Sequence, residues 1–159
     1  MTQNTPLAKT LIKALQDANM TLAIAESCTG GLLGTTITNI SGASSIFDRG
    51  FITYTNQAKQ DILGVPATTI EDHGAVSEQT ATAMAQGALT HSSADIAVAI
   101  TGIAGPAGGT NEKPLGTVYI SYALKNAPHL TQKHHFKGTR DTVRTLSVET
   151  ALDTLIHLL

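Results

Sequence analysis

Cysteine and charge are scarce in this sequence of 159 residues. Cys28 is the only cysteine, so the chain can form neither an internal disulfide nor a cysteine cluster for zinc. Charged residues make up 14% of the chain, against about 25% in a typical soluble domain. The net charge is −2 and no two Lys or Arg residues are adjacent, which argues against the basic stripe that nucleic acids require. We therefore expect no nucleic-acid partner.

Long apolar runs are also missing. The longest nearly apolar stretch, Ala94 to Ala104, is interrupted by Asp95, Thr101 and Gly102. It is well short of the roughly 20 residues that a membrane-spanning helix needs. The first fifteen residues contain no uninterrupted apolar segment of the kind found in signal peptides. These absences predict a cytoplasmic protein without a membrane partner, and the length predicts a single domain over residues 1–159.

Short apolar runs alternate with segments of helical periodicity along the chain. The run at 95–101 is apolar at nearly every position, which is typical of a central strand buried on both faces. We predict an α/β fold, a three-layer α/β/α domain with a mixed sheet of about five strands, the last two antiparallel. The predicted strands are residues 21–25, 49–55, 95–101, 116–124 and 130–136. The predicted helices are residues 5–19, 32–40, 56–63, 78–89 and a last one that Thr139 caps.

Two loops of small residues follow predicted strands, AESCTGG at 25–31 and TGIAGPAGG at 101–109. Ligands of open α/β sheets bind beyond the carboxyl ends of the strands, so both loops should face one site. Ser27 and Thr29 offer hydroxyls there, and the backbone N–H groups of Gly30-Gly31 at a helix start could hold a phosphate. Neither loop matches a nucleotide-binding motif, and turns alone would equally explain the glycines.

Several residue types could carry hydrolytic chemistry. Cys28 could be a nucleophile at a helix start, but no histidine is near it in sequence, although His73 or His91 could approach it in space. His134 and His135 are adjacent on a predicted strand and point to opposite faces, so they should not share a metal.

Carboxylates and hydroxyls leave two further alternatives. Glu26 and the Glu71-Asp72 pair form no convincing couple for a two-carboxylate hydrolase. Ser44 or Ser45, Tyr54 and Lys59 fall within one structural unit and could form a Ser/Lys site. On the residues alone this last pattern is weak, and the nucleophile stays open.

Five motifs in fixed order give the sequence a specific resemblance. They are AESCTGG at 25–31, S-x-x-F-x-x-G-x-x-x-Y-x-N-x-x-K-x-x-x-L-G-V at 44–65, HGAVS at 73–77, AITGIAGP at 99–106 and GG-x-x-x-KP-x-GTV at 108–118. The sequence resembles the CinA-like C-terminal domain family, the nicotinamide-nucleotide amidohydrolases (NMN deamidases), in their standalone form. The resemblance runs from about residue 7 to residue 159.

The resemblance implies hydrolysis of nicotinamide mononucleotide (NMN) to nicotinate mononucleotide and ammonia, a step of pyridine nucleotide salvage. It implies a Ser/Lys mechanism without metal or cofactor. The nucleophile position falls on Ser44, with Ser45 as the alternative, the general base on Lys59 and a supporting role on Tyr54. The competing interpretation is a non-catalytic nucleotide-binding paralogue or regulatory module of the same family.

The resemblance also implies the substrate-binding residues. Ser27 and Thr101 match positions in the two pocket loops, and Arg140 matches a basic residue that would bind the phosphate. With them we assign to the substrate site Thr29, Gly30, Gly31 and Gly102. A homodimer or higher homo-oligomer is expected.

One difficulty concerns how Ser44 and Lys59 could meet. If residues 49–55 form a straight strand, its ends lie roughly 20 Å apart, with Ser44 before one end and Lys59 beyond the other. We favour a chain that folds back into one pocket, because Gly50 permits a bend. The alternative is a site in which Ser44 comes from a second subunit.

Overall fold

A computed structural model describes residues 4–159. It contains six helices, five strands and a short 3-10 turn at Ala43–Ser45 within that range. The helices are α1 (Thr5–Ala18), α2 (Leu32–Thr38), α3 (Asn56–Leu63), α4 (Ala67–His73), α5 (Glu78–Thr90) and α6 (Arg140–Leu158). The strands are β1 (Leu22–Glu26), β2 (Phe47–Ile52), β3 (Ile96–Gly102), β4 (Thr117–Leu124) and β5 (Leu130–His135).

The five strands form one mixed sheet in the order β2-β1-β3-β4-β5. β1 pairs in parallel with β2 and β3, and β4 is antiparallel to both β3 and β5. The apolar run at 95–101 is the central strand, as predicted. The carboxyl ends of β1, β2 and β3 lie along the same edge of the sheet, so the segments after Glu26, Ile52 and Gly102 converge there.

Two core layers with different side chains cover the faces of the sheet. Alternation along β3 sends Ile96, Val98 and Ile100 to one face, where they belong to the larger core cluster with residues of α1, α2 and α6. Ala97 and Ala99 point to the other face, in a second cluster that includes α5 residues. The predicted three-layer α/β/α architecture is thereby confirmed.

The structure corrects the predicted elements in the segment between β1 and α5. β2 spans 47–52 instead of 49–55, with a register irregularity opposite Leu22 and Ala23. The strand ends early because the Thr55 side chain caps α3 by accepting a hydrogen bond from the Ala58 N–H. The helix α4 was not predicted, since Ile70 is its one buried residue and such a short segment shows no apolar periodicity.

Candidate active site

A cavity of about 250 Å³ lies where the carboxyl ends of β1 and β3 meet the start of α3. Side chains from distant parts of the sequence line it, which the parallel strands bring to one edge. The lining residues on which the following description depends are Ser27, Cys28, Tyr54, Asn56, Lys59, Thr101, Gly102, Gly105 and Arg140. This cavity therefore unites most of the residues that the sequence singled out.

Lys59 and Ser27 are in direct contact at the base of the cavity. The Nζ of Lys59 donates to Ser27 Oγ at 3.0 Å and to the carbonyl of Thr53 at 2.9 Å, with the Tyr54 carbonyl at 3.4 Å. Lys59 is 1% exposed and Ser27 is 7% exposed. Burial lowers the pKa of Lys59, because removal from water disfavours the ammonium.

The three acceptors around Lys59 Nζ match the three donors of an ammonium, and a neutral amine can occupy the same position. A neutral amine keeps two N–H donors, which can serve the Thr53 and Tyr54 carbonyls. Its lone pair is then free to accept the hydroxyl proton of Ser27, which lies within hydrogen-bond reach. The arrangement can therefore turn a serine hydroxyl into a nucleophile, provided that the lysine is unprotonated.

Backbone pairing of β1 and β2 sets the position of this pair. The Thr53 N–H donates to the Glu26 carbonyl at 2.9 Å, and the Thr53 carbonyl accepts from Lys59. Because Ser27 directly follows Glu26, the contacts form a closed ring through Glu26, Thr53, Lys59 and Ser27. These backbone contacts link the Ser27–Lys59 pair to the edge of the sheet.

The start of α2 does not offer the anion site that the sequence suggested. The Glu26 carboxylate accepts hydrogen bonds from the N–H groups of Gly31, Leu33 and Gly34. The Gly30 N–H donates to the Ser27 carbonyl. The phosphate contact expected through Gly30 and Gly31 is not formed by this helix start, because a carboxylate of the same chain already occupies it.

Thr29 also lies away from the cavity lining. Its side chain is fully buried, and its carbonyl accepts from Arg144 Nη2 at 2.8 Å. Of the first loop, Ser27 and Cys28 face the cavity, whereas Gly30 and Gly31 line a separate groove beside Ile52. Arg144 was not singled out from the sequence, since nothing in its spacing links it to the loop 115 residues earlier.

Arg140 and Tyr54 meet at the cavity opening. Arg140 Nη2 donates to the Tyr54 hydroxyl at 2.9 Å, and Arg140 Nη1 donates to the Gly105 carbonyl at 2.8 Å. Tyr54 is 57% exposed. The first residue of α6 therefore connects the segment after β2 with the loop after β3, and places a guanidinium beside the cavity.

The second small-residue loop lines the cavity as expected. Thr101 Oγ1 donates to the Ala75 carbonyl at 2.8 Å, which ties the end of β3 to the segment before α5. Gly102 lies so close to β4 that an added Cβ would come within 2.9 Å of the Thr117 carbonyl. Both residues face the cavity that contains Ser27 and Lys59.

Ser44 is not brought to Lys59 within this chain. It lies in the 3-10 turn before β2, is exposed, and lines a groove with Thr38 and Phe47. Ser45 Oγ instead accepts from Gln16 and donates to the Gly42 carbonyl. The expected fold-back around Gly50 does not occur. β2 remains paired with β1 through Ile52 and separates Ser44 from Lys59. Ser27 occupies the position beside the lysine that was expected for Ser44.

The thiol of Cys28 is poorly suited to be a nucleophile. Cys28 is 6% exposed, and burial raises its pKa to about 11. No histidine is among the residues that line the cavity. The thiol would therefore stay protonated, without a base of the kind that activates cysteine nucleophiles.

Within residues 4–159, no group of three or more His, Cys, Asp or Glu residues is arranged to hold a metal ion. Over the same range, every helix is too short or too polar to cross a membrane.

Comparisons with known proteins place the whole described chain in one family. The family model for the CinA C-terminal domain matches residues 4–159. The nicotinamide-nucleotide amidohydrolase PncC of Enterobacter agglomerans is 50% identical over 143 residues, covering 87% of both proteins. The CinA-like protein of Syntrophobacter fumaroxidans is 49% identical over 92% of this chain, which spans only 34% of that longer relative.

A solved structure extends the similarity to the fold. The competence/damage inducible protein CihA of Agrobacterium tumefaciens has a TM-score of 0.96 and 45% identity, over 99% of this chain and 96% of that one. The resemblance inferred from five motifs is thus confirmed over the full fold, and the chain belongs to the CinA C-terminal domain family.

Proposed function

We propose that this chain is an amidohydrolase that converts NMN to nicotinate mononucleotide and ammonia. The observation that carries the proposal is the 3.0 Å contact between Ser27 Oγ and the buried Lys59 Nζ in a cavity at the sheet edge. The name of the Enterobacter agglomerans relative, with 87% of both chains covered, supports the substrate.

Ser27, in place of Ser44, is the nucleophile in this proposal. Lys59 takes the Ser27 proton while Oγ attacks the carboxamide carbon, which gives a tetrahedral oxyanion. Collapse of this intermediate breaks the C–N bond, and Lys59 returns the proton to the nitrogen so that ammonia leaves. An ester between Ser27 and the nicotinoyl group remains.

Water completes the reaction by the reverse use of the same groups. Lys59 removes a proton from the water, the resulting hydroxide attacks the ester carbon, and Ser27 Oγ recovers its proton as it leaves. The product is nicotinate mononucleotide. These steps involve no redox change and use no reactant other than water.

Arg140 and Tyr54 bind the substrate in the proposed complex. Arg140 already uses two donors on Gly105 and Tyr54, and its remaining N–H groups can reach a phosphate at the opening. The Tyr54 hydroxyl is held by Arg140 and not by the Ser27–Lys59 pair. We therefore assign Tyr54 to substrate binding instead of proton transfer.

Incubation of the purified protein with NMN tests the proposal. Ammonia and nicotinate mononucleotide should form in equal amounts, and Ser27→Ala and Lys59→Ala should form neither. A folded wild-type protein that binds NMN without releasing ammonia would favour the nucleotide-binding alternative. The cytoplasmic location and the homo-oligomer stay predictions.

A further inference from the structure

The Glu26 side chain is a buried carboxylate that the proposed reaction does not use. It is 1% exposed. Oε2 accepts from the N–H groups of Gly31 and Leu33 at 3.1 Å each, and Oε1 accepts from the Gly34 N–H at 2.9 Å. Both oxygens are thus engaged with the first turn of α2, where the backbone dipoles favour a negative charge.

The main chain of the same residue is attached to the other half of the site. The Glu26 carbonyl accepts from the Thr53 N–H, and the Thr53 carbonyl in turn accepts from Lys59 Nζ. The Glu26 side chain therefore contacts α2, and its backbone contacts the residue whose carbonyl accepts from Lys59. Ser27 is the next residue, so a change in the backbone of Glu26 would be passed directly to Ser27.

We propose that Glu26 is a positioning residue for the Ser27–Lys59 pair, a role that rests on the hydrolysis proposed above. Its carboxylate fixes the turn from Glu26 to Gly31, and thereby holds Ser27 Oγ at the distance from which Lys59 can take its proton. Arg144 supports the far side of the same turn through the Thr29 carbonyl. Reaction rates fall steeply when reacting atoms are misplaced by as little as 1 Å, so a loose turn would cost turnover.

Two substitutions separate geometry from charge. Glu26→Gln keeps the length of the side chain and one acceptor oxygen, so it preserves up to two of the three contacts. Glu26→Asp keeps the charge, but the loss of one methylene withdraws both oxygens from N–H groups now at 2.9 to 3.1 Å. If position matters, Glu26→Gln will retain more activity than Glu26→Asp.

The kinetic expectation is a fall in kcat without a matching change in KM. We expect kcat to drop about tenfold for Glu26→Gln and about a hundredfold for Glu26→Asp, with KM within about threefold, since Glu26 does not line the cavity. Asp95→Asn is the matched control. Asp95 also accepts a backbone N–H, that of Thr21, but lies at the opposite end of β3. It should lower the melting temperature while kcat is retained.

A second readout does not depend on NMN. The rate at which a small fluorophosphonate labels Ser27, followed by intact mass with Ser27→Ala as the blank, reports the nucleophile directly. Labelling should fall in the same order, from wild type to Glu26→Gln to Glu26→Asp. If the labelling rates fall in this order but the wild type does not hydrolyse NMN, the substrate proposal fails and the role of Glu26 stands.

Other results would overturn the role of Glu26. One is that both Glu26 variants keep the wild-type kcat and labelling rate at a temperature where they are folded. Another is that Asp95→Asn loses as much kcat as they do, because the effect would then follow stability alone. If the wild type is neither active nor labelled, Ser27 is not activated and both proposals fall.

Discussion

Lys59 Nζ and Ser27 Oγ are hydrogen-bonded at 3.0 Å although the two residues are 32 positions apart in the sequence. The contact joins the turn after β1 to the fourth residue of α3, and both residues are buried. It makes Ser27 the hydroxyl that a lysine base can reach in this fold.

The two candidate serines can be separated by matched substitutions. Ser27→Ala should lower kcat by about a thousandfold or more, because the nucleophile is lost, whereas exposed Ser44→Ala should stay within about threefold of wild type. Steady-state ammonia release measures both. The opposite pattern would restore Ser44 as the nucleophile.

A shared site would have its own signature. If Ser44 of a second subunit completed the site, Ser44→Ala alone would be inactive, and mixing it with inactive Lys59→Ala under conditions of proven subunit exchange would restore activity. We expect Ser44→Ala to be active on its own and the mixture to show no more activity than its Ser44→Ala subunits supply, since Ser27 and Lys59 of one chain are already in contact.

The activity should rise with pH as Lys59 loses its proton. Because burial lowers the pKa of Lys59, the rising limb of kcat/KM should have its midpoint below the ordinary lysine value of about 10.4. Lys59→Arg should be inactive at every pH, since a guanidinium does not deprotonate in proteins. A rate independent of pH in the wild type would contradict the role of Lys59 as base.

The same lysine should lower the stability of the protein at neutral pH. Its pKa is lower in the folded than in the unfolded chain, so between the two values the unfolded state binds more protons and stability rises with pH. Below the folded pKa the full cost of burying the ammonium remains. Lys59→Met should therefore unfold at higher denaturant concentration than wild type at pH 7, and should lose this pH dependence.

Much of the fold, but not the pairing within the site, could be predicted from the sequence. The apolar run at 95–101 and the small-residue loops after β1 and β3 indicated the sheet and the edge where the site lies. The partner of Lys59 could not be predicted, because a long side chain can turn toward hydroxyls on either side of its helix. The role of Glu26 was hidden for a related reason, since a glycine-rich helix start looks the same whether a ligand or the chain itself supplies the anion.

An acyl-enzyme on Ser27 should be open to nucleophiles other than water. Hydroxylamine added during turnover should give the hydroxamate of nicotinate mononucleotide at the expense of the acid, while the rate of ammonia release persists. Mass spectrometry of the products measures this partition. Direct attack of water on the amide would leave the ratio of acid to ammonia at one in the presence of hydroxylamine.

The guanidinium at the opening should discriminate nucleotide from nucleoside. Arg140→Ala should raise KM for NMN by about tenfold or more and leave the kinetics of nicotinamide riboside nearly unchanged, because only the nucleotide carries the phosphate. Tyr54→Phe is the control that removes the hydroxyl contact to Arg140 but keeps the ring. Equal effects of Arg140→Ala on both substrates would remove the phosphate contact from the mechanism.

The groups around the cavity come from separate stretches of chain. The Ser27–Lys59 pair and the ring of contacts through Glu26 and Thr53 belong to residues 26–59, whereas the opening is formed by Tyr54 together with the loop after β3 and the start of α6. Substitutions in the later stretches can therefore alter which amide enters without disturbing the ring of contacts around Ser27. Under the proposed function, residues 103–108 and Arg140 are therefore the positions at which substitutions would redirect the site toward other carboxamides.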